Sequence, residues 1–135
     1  MIGLDTNVLV RYLAQDDAKQ AAIATRLIEQ DLSAAQPGFI SLVVLVELCW
    51  VLKRLYAANE SELVATVGDL LGAAQFHVEH REAVQAAIRH TTSLKGAKVG
   101  FTDRLIVEIA KTQGCSHTVS FDKVAVRSAG MVLLI

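Results

Sequence analysis

The residues most able to do chemistry in this chain are four carboxylates. Asp5 closes the apolar run Met1-Ile2-Gly3-Leu4, and Glu47 interrupts the apolar stretch from Val43 to Leu52. Asp103 opens the helical segment Thr102 to Val107, and Asp122 ends the strand-like run His117 to Phe121. An unpaired carboxylate is costly to bury, so it becomes protonated, pairs with a base or binds a cation. Four such positions in 135 residues suggest one acidic site built to hold a divalent metal. Carboxylates are hard oxygen ligands, and with no histidine or thiolate cluster they favour Mg2+ or Mn2+ over zinc. Such an ion could activate water against a backbone phosphorus and leave 5′-phosphate and 3′-hydroxyl ends.

Each carboxylate also has an ordinary role open to it. Asp5 or Thr6 could cap the helix that follows. Asp103 could sit at its helix N-terminus for the favourable field there. Asp122 with Lys123 could form a turn. Glu47 is harder to explain this way. Nine of the ten residues from Val43 to Leu52 are apolar, so the helix is expected to be buried on most faces or covered by a partner, with a core helix the simpler account. Lys53 and Arg54 lie beyond the i+3 and i+4 neighbours that would neutralise it.

Alternation along the late strand puts Thr118, Ser120 and Asp122 on one face and Val119 and Phe121 on the other. Ser120 could orient a ligand or water, or belong to an ordinary polar sheet face. Asn7 could donate to a carboxylate or phosphate, or simply help start the helix. Metal-free acid–base cleavage would need well-placed histidines, and His77, His80, His90 and His117 show no such grouping. The loop from Gly96 to Gly100 lacks phosphate-loop spacing.

The elements that must carry these groups are short apolar strands alternating with helices. Strands are expected near residues 1–4, 76–78, 117–121 and 131–134, with a small extended piece at Phe39-Ile40. Helices are expected over about 8–14, 17–34, 42–57, 61–74, 81–92 and 102–113. This order indicates an α/β sandwich around a short, mainly parallel central sheet. Sites in such sheets form at the carboxyl ends of strands, where Asp5 and Asp122 both fall.

The length suits one domain, residues 1–135, with a real core. Hydrophobic residues at 53% and charged residues at 20% exclude disorder. The formal charge of −1 is unusual for a nucleic-acid binder, but without the four carboxylates 13 Lys and Arg face only ten acids. Lys95, Lys98, Arg104, Lys111, Lys123 and Arg127 concentrate that excess after residue 94, a modest hint of a polyanionic substrate. Cys49 and Cys115 form no CxxC pair. Without a leader-like start or a long uncharged apolar run, a cytoplasmic protein with no membrane span is expected.

The opening Met1-Ile2-Gly3-Leu4-Asp5-Thr6-Asn7-Val8-Leu9-Val10-Arg11-Tyr12-Leu13 resembles the first motif of PIN-domain nucleases, specifically ribonuclease toxins of the VapC type. Glu47 matches the family's glutamate on a central helix. Phe101-Thr102-Asp103-Arg104-Leu105-Ile106 is similar to the third motif, and Thr118-Val119-Ser120-Phe121-Asp122-Lys123 to the fourth. The resemblance implies a PIN-like α/β/α sandwich and a Mg2+- or Mn2+-dependent endoribonuclease, the toxin of a type II toxin–antitoxin pair. It further implies an RNA substrate, a homodimer and a cognate antitoxin protein. It carries over Asp5, Glu47, Asp103 and Asp122 as metal-site residues, with Thr6 and Asn7 as helpers. Thr102 and Arg104 depart from the smaller apolar residues common beside the third acid, which leaves the role of Arg104 open.

Two other readings compete. An aspartate-nucleophile phosphatase would use Asp5 but usually wants a second acid two residues on, where this chain has Asn7. A catalytically inert binding module would have little reason to keep all four carboxylates.

Overall fold

The computed structural model describes residues 1–93 and 100–135, so the expected loop from Lys95 to Gly100 lies, but for Gly100, outside the described residues. These form two compact units, Met1–Asn59 with Ala65–Glu79, and Glu60–Val64 with His80–Ile135.

In the first unit, β1 (Ile2–Gly3), β2 (Gly38–Ile40) and β3 (Phe76–Val78) form a parallel sheet in the order β1-β2-β3. The chain crosses from β1 to β2 through α1 (Thr6–Ala14) and α2 (Ala18–Arg26), which runs on as a π-helical turn over Leu27–Asp31. It returns to β3 through α3 (Leu42–Leu55) and α4 (Glu60–Gly72). The caps come from the expected residue types. Asp17 accepts from Gln20 N at 3.0 Å to start α2, and Ser41 accepts from Val44 N at 3.1 Å to start α3.

Gly38 marks the tightest packing around the sheet. A Cβ there would stand 2.6 Å from Leu4 Cδ1 and 2.9 Å from Leu32 Cδ1, so the ends of both leucine side chains would have to shift to admit one. Leu9, Ile28, Ile40, Leu45 and Leu48 are fully buried and fix α1, α2 and α3 in this unit.

The α3 helix corrects the expectation of burial on most faces. It buries Leu45, Leu48, Cys49 and Leu52, the spacing of a single stripe. Val43 is 77% and Trp50 56% exposed, and Glu47 is exposed between them. The helix is therefore a core element with an uncovered apolar face.

In the second unit, α5 (Arg81–Ser93) packs on α6 (Phe101–Thr112), with Val84, Ala87, Phe101 and Leu105 buried. The exposure of α6 follows its own pattern. Ile106 is exposed, whereas Val107 and Glu108 are buried. Next, β4 (Val119–Ser120) pairs in parallel with β5 (Val132–Leu133), and α7 (Lys123–Ala129) connects them. The turn considered at Asp122-Lys123 is the start of α7, which ends at Gly130 in the left-handed region with φ of 76°. Val107, Ala125, Ala129 and Met131 form the small core beneath it.

Every strand pairing among the described residues is parallel, as expected of an α/β fold. Among the described residues, no helix is long and apolar enough to cross a membrane.

Candidate functional site

In the first unit, Asp5 stands two residues beyond β1, where the chain turns into α1. Its backbone is extended and its Oδ1 accepts from Thr6 N at 2.8 Å, so it caps the helix. Thr6 is buried at the first position of α1, and its Oγ1 donates a hydrogen bond to Glu47 Oε1 on α3. The packing of α1 on α3 thus joins the first motif to the central glutamate.

Asp5, Thr6, Asn7, Arg11, Glu47 and Tyr56 line one open groove of about 270 Å³. Its far rim is a hydrogen-bonded chain. Tyr56 donates to Asp16 Oδ2 at 2.6 Å, Arg11 Nη1 lies 3.4 Å from Asp16 Oδ1, and Arg11 Nε donates to Gln20 Oε1 at 2.7 Å. The Tyr56 hydroxyl, and to a lesser degree Arg11, hold the Asp16 carboxyl below its ordinary range. The same bond pushes the Tyr56 phenol up.

Arg11 is therefore committed to Asp16 and Gln20, while Asp5 and Glu47 have no cationic partner among the described residues. Asp5 Oδ2 and Glu47 Oε2 likewise accept no hydrogen bond among those residues. Both carboxylates are exposed to the groove with oxygen lone pairs to spare. That donor set fits a hard divalent cation, which takes oxygen ligands and neutralises paired negative charge.

In the second unit, Asp103 lies in the first turn of α6, and its Oδ2 reaches back to 3.3 Å from where a Cβ on Gly100 would stand. The helix start is also held by Glu60, whose Oε2 accepts from Phe101 N at 3.0 Å. Asp122 stands two residues beyond β4 and caps α7, with Oδ1 accepting from Val124 N at 2.8 Å and Ala125 N at 3.4 Å. Ser120 Oγ accepts from Asp122 N at 3.0 Å, so the serine shapes the turn that presents the aspartate.

The structure therefore gathers Asp5, Thr6, Asn7 and Glu47 around one groove, and sets Ser120 against Asp122. Asp103 stands on a separate helix of the second unit. Within neither unit do the described residues form a group of three or more His, Cys, Asp or Glu side chains that could hold a metal ion.

Two groupings escaped the sequence reading. The Tyr56–Asp16–Arg11–Gln20 rim had one readable sign, since Arg11 follows Asn7 by four residues on one helical face. The second is Glu108, buried on α6 with Oε1 3.0 Å from His90 Nδ1 and 3.4 Å from Lys111 Nζ. Its contact with His90 is close but not aligned as a hydrogen bond, and it joins α5 to α6. The Arg104 Nε is buried without a partner among the described residues, and its guanidinium passes Gly130 at the end of α7.

The family model described as PIN domain matches residues 2–130 of the chain. No curated protein matches it.

Proposed function

The chain belongs to the PIN-domain family, whose members are generally nucleases and typically metal-dependent, and on that premise we propose that it is an endoribonuclease. In this reading residues 1–135 act as one nuclease domain. Asp5, Glu47, Asp103 and Asp122 would hold Mg2+ or Mn2+ through carboxylate oxygens. When bound, the ion would supply a Lewis acid that lowers the pKa of water and offsets charge on the phosphate.

The chain's own residues set the rest. Thr6 fixes the rotamer of Glu47 by donating to one of its oxygens, which leaves the other turned to the groove. The Asn7 amide, on the groove wall, can donate to a non-bridging phosphate oxygen. A carboxylate of the set accepts the proton of the attacking water. The water oxygen bonds to phosphorus, the bond to the 3′ oxygen breaks, and that oxygen takes a proton from solvent water as it leaves as a 3′-hydroxyl. Ser120 holds the turn that presents Asp122.

The observation that carries this reading is the Asp5–Thr6–Glu47 arrangement, in which two exposed carboxylates share a groove and have no ion-pair partner among the described residues. The toxin role, with a cognate antitoxin as partner, is supported by the ordered motifs at Asp5, Glu47, Asp103 and Asp122 that resemble VapC-type toxins. A homodimer is supported by the exposed Val43, Val46 and Trp50 on α3, an apolar face that a second copy would cover.

The test is cleavage of an internally structured RNA by the pure chain with Mg2+ or Mn2+. Internal cuts ending in 5′-phosphate are expected, lost on chelation and lost in a folded Asp5→Asn variant. Equal cleavage in chelator, or full activity in that variant, overturns the assignment.

A further inference from the structure

Beside the carboxylate groove lies a second cavity of about 250 Å³, lined by residues of α1 and α2. Asn7 and Arg11 line both, so the two are continuous along one face of α1. The walls of the second cavity are apolar, from Val8, Ile23 and Leu27, and its polar residues are Asn7, Arg11 and Gln20. We propose that this cavity is a subsite for one unpaired nucleobase of the RNA, next to the phosphate that the carboxylate groove receives.

Three features select that occupant. The first is chemistry. Gln20 Oε1 is taken by Arg11 Nε, while the Gln20 amide nitrogen and the Asn7 side-chain amide have no partner among the described residues. Two amides above an apolar wall match a base, which offers donors and acceptors on its edge and a face that stacks. The second is size. Pockets for drug-sized ligands run from about 300 Å³ upward, and this smaller cavity suits one planar ring system rather than a helix of a protein partner. The third is position. A strand with its phosphate over Asp5 and Glu47 has the adjoining nucleotide within reach of Asn7, the residue that both cavities share. The Arg11 side chain, held by Asp16 and Gln20, forms part of the wall that the two share.

The inference rests on the nuclease reading for its substrate, but it concerns binding, so it is read without cleavage. Labelled RNA oligonucleotides carrying one abasic ribose at successive positions are titrated with the full chain in Ca2+ by fluorescence polarisation. One abasic position is expected to weaken binding about tenfold, the scale of one stacked base. In the double variant Gln20→Ala with Ile23→Ser, at two exposed positions, the intact and abasic oligonucleotides should bind equally. The inference is overturned if no abasic position matters, or if the tenfold ratio survives in the variant, as it would if the cavity served a protein partner. Cut ends measured separately in Mg2+ report on the nuclease reading, so either claim can fail alone.

Discussion

Thr6 and Glu47 lie 41 positions apart in sequence, yet the threonine hydroxyl donates directly to a carboxylate oxygen of the glutamate. The bond ties the N-terminus of α1 to the exposed face of α3. It gives Thr6, which is buried, a part in placing a group that is not.

Thr6→Val removes that donor and keeps the shape. Glu47 then loses its fixed rotamer, and activity should fall about tenfold, the scale at which a lost positioning hydrogen bond shows. Stability should drop by about 1 kcal/mol. Thr6→Ser should recover most of both. Steady-state cleavage and urea denaturation of the three proteins check this, and equal activity in the Val and Ser variants would separate Thr6 from the chemistry.

Asp122 caps α7, and substitutions can separate that job from the catalytic one proposed for it. As the cap of α7 it accepts from Val124 N and Ala125 N. Asn caps nearly as well as Asp, whereas Ala costs about 1 kcal/mol. Asp122→Asn should therefore melt within a degree or two of the wild type yet lose activity by roughly a hundredfold, the scale expected when a charged group leaves a catalytic site. Asp122→Ala should lose both. An active Asp122→Asn protein would leave the residue as a cap alone.

How far the sequence could be read depended on how many residues each signal spans. Helix α3 and strand β3 were legible because Ser41 caps a fourteen-residue helix and Phe76, His77 and Val78 alternate apolar and polar as a strand does between turns. Asp5 was legible as a strand-end carboxylate for the same reason. Helix α7 was not, because seven residues are under two turns and show almost no periodicity, although Asp122 and Gly130 bracket it with good caps. The exposure of Glu47 was hidden by composition. When nearly every position of a segment is apolar, the pattern cannot say which stripe the fold will cover. Glu108 was hidden for the opposite reason, since a charge in an amphipathic helix reads as solvent-facing until its partners His90 and Lys111 are seen.

The rim of the groove predicts a pH dependence. The Asp16 carboxyl is held below its ordinary 3.8, first by the Tyr56 hydroxyl. A depressed acid stabilises the folded chain above its unfolded pKa, and that contribution is lost as the pH falls through the lowered value. The Tyr56 phenol is raised above 10.0 by the same bond, so its contribution is lost as the pH rises through the raised value. Tyr56→Phe should move the Asp16 carboxyl up toward 3.8, followed by its NMR chemical shift. The stability gap between the two proteins should be widest near neutrality and close at both extremes. A gap independent of pH would mean the bond does not form in solution.

The uncovered face of α3 makes a prediction about assembly. Val43 is 77%, Val46 40% and Trp50 56% exposed, and Arg54 lies over the Trp50 ring at 5.0 Å. Contiguous apolar surface of this kind marks an interaction site. If a second copy covers it, Val46→Asp places a charge in the buried interface without touching the core stripe of Leu45, Leu48, Cys49 and Leu52. The wild type should sediment as a dimer at micromolar concentration and the variant as a monomer. The circular dichroism of the variant should be unchanged, because Val46 is not part of the core. Trp50 is the single tryptophan of the chain, so its emission reports directly on this face. Dilution of the wild type should red-shift it as the ring meets water, and the variant should show the shifted spectrum at every concentration. A wild-type monomer with concentration-independent emission would remove the second copy as the occupant of this face and leave the nuclease chemistry proposed for the groove untouched.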